Sequence, residues 1–277
     1  MRRGGERAFE KEGFRHVRCR DCGLVYVTPR LSDHIGQQEV FWDDQTGRFD
    51  DIEQMGAHSY KKSRRRALLS EVALYRKYRK TGYMMDIGCG FGGFLRAAGE
   101  QGWEHPEGIE IAPQTARYAS RFFPVLRDIA EEEPHKKGLF DVIRLNNVIE
   151  HLPDPGMLVH SAYEFLRPGG LFVVSTPNFD SISVTICGPR WQYIMGNHHI
   201  YLFTPKTLGR LLEDAGFRVV GMETKGVHLI PDDHSGSRKG FSKHVSNGAI
   251  TNAEKLLDLV VRHTSKGHRL RVLAEKT

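Results

Sequence analysis

Short apolar runs bounded by glycine, proline or acid recur along this chain, and stretches of helical period fill the intervals between them. The runs cover residues 83–86, 107–111, 125–128, 139–145, 171–175, 217–222 and 269–274. Residues 171–175 are nearly all apolar, as in a strand buried on both faces. Helices are expected over 94–102, which Gly102 closes, over 113–122, and over a stretch ending near Arg167. Thr204 suits an N-cap and Pro205 a first helical residue for a helix through Ala215, which Gly216 ends. A last helix over 252–263 puts Leu256, Leu257, Val260 and Val261 on one face. Strand alternating with helix in this way predicts a doubly wound α/β sheet.

Three regions leave the pattern. Residues 1–60 read as a loop-like amino-terminal segment, with Cys19-Arg-Asp-Cys22-Gly23 ahead of a short strand at 24–27. Residues 188–203 are rich in aromatic and histidine side chains without a regular period, and they follow the fifth strand. They are read as a lid over the carboxyl edge of the sheet, where such folds bind ligands. Residues 226–265 form a polar insertion, with 226–250 irregular, so the main domain is expected over 61–277. Its first helix, from Tyr60 to Arg79, carries a run of lysine and arginine best read as a solvated face.

Composition narrows the class. A chain of 277 residues, 39% hydrophobic and 27% charged, has room for one α/β domain and an appendage. No run approaches the ~18 apolar residues of a membrane span, and the first residues carry charge without an apolar region behind them, so a cytoplasmic protein is expected. The four cysteines are too few and scattered for a disulfide framework. The net charge of +6 is moderate; it fits an anionic substrate, or solubility alone, which is the preferred reading.

The candidate chemistry lies in Asp86-Ile-Gly88-Cys-Gly90-Phe-Gly92-Gly93, where a strand passes through a tight turn into a helix. Glycine there accepts positive φ and lets a ligand approach the backbone. Gly88, Gly90 and Gly93 match the dinucleotide fingerprint in form, but that spacing alone is weak. Asp86 argues against a pyrophosphate, since two like charges 4 Å apart repel by roughly 4 kcal/mol at an effective dielectric near 20. A cationic ammonium would be attracted instead, which suits S-adenosyl-L-methionine better than NAD. Glu110, about two dozen residues after Asp86, sits where an open α/β sheet offers an acid to ribose hydroxyls. Asp128 ends the third strand and could accept from an adenine amino group, although either acid could simply be solvated. His151 and His199 are the candidate general bases, with hydrogen-bonded structural histidines as the plain alternative.

No metal site is expected. Cys19 and Cys22 resemble half of a zinc ribbon, a structural zinc takes four ligands, and His16 or His34 could complete the set only in an unusual way.

Taken together, Asp86-Ile-Gly-Cys-Gly-Phe-Gly, Glu110, Asp128 and the turn Glu150-His151-Leu-Pro-Asp-Pro155 resemble class I S-adenosylmethionine-dependent methyltransferases. The resemblance is to the bacterial subgroup with an amino-terminal Cys-x-x-Cys-Gly segment, although an earlier cysteine pair usual there is missing. It implies a Rossmann-like seven-stranded sheet, mostly parallel with an antiparallel last strand. It also implies that Gly88 and Gly90 line the methionine portion of the cofactor, Glu110 holds ribose, Asp128 and Ile129 hold adenine, and Asn146 sits at the methionine end. The expected partner is a small-molecule acceptor such as a sugar, a lipid-like molecule or a natural product, without nucleic acid or membrane. An RNA methyltransferase and a catalytically inactive cofactor-binding protein are the alternatives.

Overall fold

The amino-terminal segment closes into three antiparallel strands, the largely exposed β1 (Gly5–Lys11), then β2 (Phe14–Cys19) and β3 (Val25–Thr28), the last with alternate residues buried. The structure is a computed structural model and describes residues 5–11, 13–30, 52–79, 82–129, 136–196, 198–229, 247–261 and 264–277. Between Gly5 and Thr28 the segment read as loop-like therefore forms a small sheet. Val25 and Val27 face inward, and the tight turn between β2 and β3 brings Cys19 and Cys22 together as free thiols. His34 lies outside the described residues.

Two helices, α1 (Ile52–Ser59) and α2 (Lys62–Tyr75), lead to β4 (Tyr83–Ile87), whose Met84 to Ile87 are all buried. Then follow α3 (Gly93–Glu100), β5 (His105–Ile109), α4 (Pro113–Ala119), the short β6 (Val125–Leu126) and β7 (Phe140–Asn146). A 3-10 turn at Ile149–His151 passes into α5 (Pro155–Phe165), where Pro155 is the first helical residue and Asp154 accepts from the Met157 amide at 3.1 Å. The long β8 (Leu166–Pro177) and the short α6 (Ile182–Cys187) precede the two-residue β9 (Tyr201–Leu202). Helix α7 (Pro205–Asp214) starts as the sequence implies, with Thr204 and Thr207 forming a reciprocal capping box. Then come β10 (Phe217–Lys225), α8 (Asn247–Val261) and β11 (Arg269–Lys276).

The main sheet has seven strands in the order β10-β11-β8-β7-β4-β5-β6. The pairs β4·β5, β4·β7, β5·β6 and β7·β8 are parallel, while β11 is antiparallel to both β8 and β10. This is the expected Rossmann-like arrangement with an antiparallel last strand. The chain runs outward from β4 through β5 and β6, then returns to the other side of β4 as β7. Strand order thus reverses between β4 and β7, and ligands bind at the carboxyl ends of strands beside such a switch point. β8 begins at Leu166, earlier than the sequence suggests, and Pro168-Gly169-Gly170 falls at a register shift against β7 instead of a free turn.

The segment 188–203 differs most from expectation. Trp191, Ile194 and Leu202 are buried against Val25 and Cys187 in a cluster of their own, and β9 pairs antiparallel with β3, Val25 opposite Leu202. Core packing therefore accounts for most of its aromatic content, and it stitches the amino-terminal sheet to the main domain. Because Trp191 is fully buried, Trp191→Ala should cost about 3–5 kcal/mol of stability, read as a lower urea midpoint. A loss under about 1 kcal/mol would mean that this segment is a lid resting on the surface.

Candidate functional site

Where β4 ends, the chain turns through glycines with φ of +76° at Gly88 and +55° at Gly90. A side chain at Gly88 would place its Cβ 2.4 Å from Val148 Cγ2, so the turn is packed on that side. At Gly90 the same construction meets no heavy atom within 4 Å. Its backbone is therefore bare toward the cleft, which is what a ligand lying on the turn requires. The turn is fastened to β5: the amides of Gly88 and Cys89 donate to the Ile109 carbonyl at 2.7 and 3.0 Å. Glu110 completes the fastening by accepting from the Gly90 amide at 2.8 Å and the Ala112 amide at 2.9 Å. Burial pushes the Glu110 carboxyl up, against the pull of those amides.

A cleft of about 1100 Å³ opens beside the turn, lined by Asp86, Gly88, Gly90, Asn146, Ser175 and Thr176 together with β11 on the sheet side and by α2 across from them. Its floor is a buried ion cluster. Arg144 of β7 bonds Asp86 Oδ1 at 2.7 Å and Glu71 of α2 at 2.9 Å, and its guanidinium lies 4.1 Å from the centroid of the Phe94 ring. Arg271 of β11 reaches Glu71 at 3.3 Å, and the Tyr75 hydroxyl donates to Glu71 as well. The two carboxyls on Arg144 shift in opposite directions. Burial raises Asp86 to about 6, overcoming Arg144, with the charges of Glu71 and Glu110 adding to the rise. Burial would also raise Glu71, but Arg144 and Arg271 together hold it at about 2. The charge the sequence reading gave to Asp86 alone is thus shared with a guanidinium.

On the β7–β8 side, Asn147 takes a left-handed conformation with φ 54°, and its amide donates to the Ser175 carbonyl at 2.8 Å. The 3-10 turn that follows presents Glu150 and His151. Glu150 accepts from the Thr176 hydroxyl at 2.9 Å, and burial lifts its carboxyl to about 7. The rings of His151 and His199 meet edge to face at 4.6 Å between centroids. Burial lowers His199 to about 4, the Tyr193 carbonyl on its Nδ1 pulling the other way. His199 is neutral at ordinary pH.

The expected site residues therefore fall into groups. Asp86, Gly88, Gly90 and Asn146 line the cleft; Glu110 stands behind Gly90; His151 and His199 adjoin each other beyond Thr176. Asp128 is exposed and Ile129 buried just past β6, neither of them on the cleft wall. Arg144 and Glu71 were missed in sequence. The one signal was an arginine in the otherwise apolar run 142–145, and its partners come from distant elements. At the amino-terminal turn, Cys19 and Cys22 belong to no group of three ligand-type side chains among the described residues, and His16 stacks on Phe9 at 4.3 Å.

A doubly wound sheet with a glycine turn at its switch point and an anchored acid on the next strand defines a class of proteins that bind a nucleoside-containing ligand. Residues 60–221 match the family model described as a methyltransferase domain, and the chain belongs to that family. The cofactor such a family brings is S-adenosyl-L-methionine. A ubiquinone biosynthesis O-methyltransferase of Neisseria meningitidis is 30% identical over 162 residues, 52% of this chain and 66% of the relative. One of Psychrobacter arcticus is 29% identical over 168 residues, 53% of this chain and 63% of its own. The chain thus spans less than two thirds of the length of these relatives. In fold it is similar to a SAM-dependent methyltransferase of Archaeoglobus fulgidus, with a TM-score of 0.54 and 24% identity over 82% of this chain and all of the other. An S-adenosylmethionine-dependent methyltransferase of Mesorhizobium loti gives a TM-score of 0.52 at 18% identity, covering 75% of this chain and 96% of its own. Among the described residues no helix is long and apolar enough to cross a membrane.

Arg144→Met would leave buried carboxylates without their cation and should destabilise the fold by about 3–5 kcal/mol, measured by denaturant unfolding at neutral pH. A neutral effect would remove the ion cluster from the account. The pH dependence carries a sign: Glu71 sits at about 2 in the folded protein against an ordinary 4.5, so the unfolded chain takes up that proton first. The stability Glu71 contributes is present above pH 4.5 and fades as pH falls toward about 2. Glu71→Gln should flatten that limb of the stability curve.

Proposed function

We propose that this chain transfers the methyl group of S-adenosyl-L-methionine to an oxygen of a small-molecule acceptor. The observation that carries the reading is the bare backbone of Gly90 at the switch point, held open to the cleft by Glu110. The fit is chemical as well as steric. An adenosine ligand without phosphate asks for an acceptor of ribose hydroxyl protons, and Glu110 keeps lone pairs beyond those its two amides occupy. Gly88 and Gly90 would back the methionine portion, Asn146 would stand at its end, and Asp128 with Ile129 would lie toward adenine.

When bound, the cofactor supplies a methyl group already activated on a sulfonium. The protein's task is then to hold the acceptor on the line of attack, and positioning of this kind can supply roughly 7–11 kcal/mol. Oxygen as the acceptor atom is favoured by the relatives named as O-methyltransferases and by the polar group Glu150, His151 and His199 next to the cleft wall. A hydroxyl must lose its proton to become a good nucleophile. His199, lowered to about 4 by burial, is a poor base and serves to orient its neighbours; the less buried His151 is the residue placed to handle the acceptor's proton.

The test is transfer of labelled methyl from S-adenosylmethionine to a panel of phenols, catechols and sugars. Label in a small-molecule product supports the reading; cofactor binding with no transfer to any acceptor would leave a binding protein. Glu110→Ala should weaken S-adenosylhomocysteine binding by more than about tenfold, because it removes a charged hydrogen-bond acceptor and loosens the glycine turn. Unchanged affinity by calorimetry would remove Glu110 from the cofactor site.

A further inference from the structure

Glu150 is treated differently from the other buried acids of this protein. Asp86 and Glu71 each face arginine and Glu110 holds two backbone amides, but no arginine, lysine or pair of amides is bonded to Glu150 among the described residues. Its Oε2 accepts from Thr176, and its Oε1 is buried with no hydrogen-bond partner among the described residues. An uncompensated buried carboxylate oxygen is costly, and such groups are normally paired or bound to a metal. Its neighbours are two imidazoles. One ligand atom from each of Glu150, His151 and His199 can be chosen so that all lie within 4.8 Å of one another.

The imidazoles are set for ligation. His151 Nδ1 lies 3.1 Å from the His198 carbonyl, and His199 Nδ1 lies 2.8 Å from the Tyr193 carbonyl. A carbonyl oxygen only accepts, so each Nδ1 carries the hydrogen and each Nε2 the lone pair. A backbone carbonyl on the far nitrogen is the usual way a metal-binding histidine is held in tautomer and orientation. Glu150 and His151 come from the turn after β7, and His199 from the segment ahead of β9. The fold, not a local motif, brings them together.

We propose that Glu150, His151 and His199 bind a divalent first-row transition-metal cation. Two imidazoles and one carboxylate suit zinc, cobalt or iron, whereas calcium and magnesium prefer all-oxygen sets. With bonds of ~2.1 Å, the edge of a tetrahedral site is roughly 3.4 Å, so the side chains must draw in by about 1 Å, within reach of small torsional changes. Three protein ligands leave a position for water or an acceptor oxygen. Only this last use rests on the methyl-transfer reading, and in it the metal takes over from His151 the task of activating the hydroxyl: the bound hydroxyl gives its proton to solvent, its oxygen forms the bond to the methyl carbon, and the sulfur–methyl bond breaks to leave a neutral thioether.

The experiment takes the full chain, stripped with a chelator and dialysed, and titrates it with Co²⁺ by calorimetry and visible absorption. S-adenosylhomocysteine affinity is measured on the same samples. One Co²⁺ per chain is expected, unchanged in Cys22→Ser, which isolates the amino-terminal thiols. Glu150→Gln and His199→Ala should each weaken Co²⁺ by more than about 100-fold, beyond the 10–100-fold that loss of an outer partner costs, while S-adenosylhomocysteine still binds. If either variant fails to fold, His151→Asn at the less buried ligand should show the same loss. Absence of Co²⁺ binding, binding undiminished in the Glu150 and histidine variants, or binding lost in Cys22→Ser would each overturn the site. Failure of S-adenosylhomocysteine to bind the unmodified chain would instead count against the methyl-transfer reading and leave the metal result standing.

Discussion

The cleft depends on a buried guanidinium. Arg144 rises from the centre of β7, bonds Asp86 at the end of β4 and Glu71 on α2, and shares Glu71 with Arg271 from β11. One side chain thereby locks the two strands at the switch point to the helix that forms the opposite wall. The arrangement has a cost, since removing four charges from water is repaid only when each finds a good partner. Here they do, and the sum over Asp86, Glu71, Arg144 and Arg271 is neutral. What the cluster secures is position: the carboxyl edge of β4 cannot shift without breaking the bond to β7.

On that edge the glycine turn can be both bare and rigid. Gly90 offers an open face while the amides around it are taken up by Ile109 and Glu110. Glu110 shapes the turn through its bonds to the Gly90 and Ala112 amides, and facing the ligand is the second task proposed for it. The wall beyond Thr176 is polar for a different reason, because Glu150 accepts from a hydroxyl while His151 and His199 each have a backbone carbonyl on Nδ1. The segment carrying His199 is pinned by Trp191 in a small core and by β9 against β3. The amino-terminal sheet therefore helps to position a residue beside the cleft, although it contributes no strand to the main sheet.

Much of this was legible in the chain because parallel strands buried on both faces appear as unbroken apolar runs, as at 171–175, and because a glycine turn announces itself by composition. Of the amino-terminal strands only β3 was, as the run 24–27; β1 is exposed along most of its length and reads like polar loop. The start of β8 was masked by Pro168-Gly169-Gly170, which mimics a turn while a register shift absorbs it. Side-chain partnership was the least legible. The reading of Asp86 as a lone charge failed to include Arg144, and the aromatic segment around Trp191 resembled a lid because nothing local says that a distant β3 will cover it. Spacing located the acids and histidines; which of them share a counter-ion follows only from the fold.

On the proposed function, the bare glycine turn receives a phosphate-free adenosine ligand. With Asp86 neutralised by Arg144, like-charge repulsion no longer makes that choice by itself, so direct comparison of the two ligand classes is the sharpest test. Calorimetric titration of the full chain with S-adenosylhomocysteine and, separately, with NAD⁺ should give one saturable site for the first and no binding heat for the second. Binding of NAD⁺ at that site, or no binding of S-adenosylhomocysteine, would contradict the account.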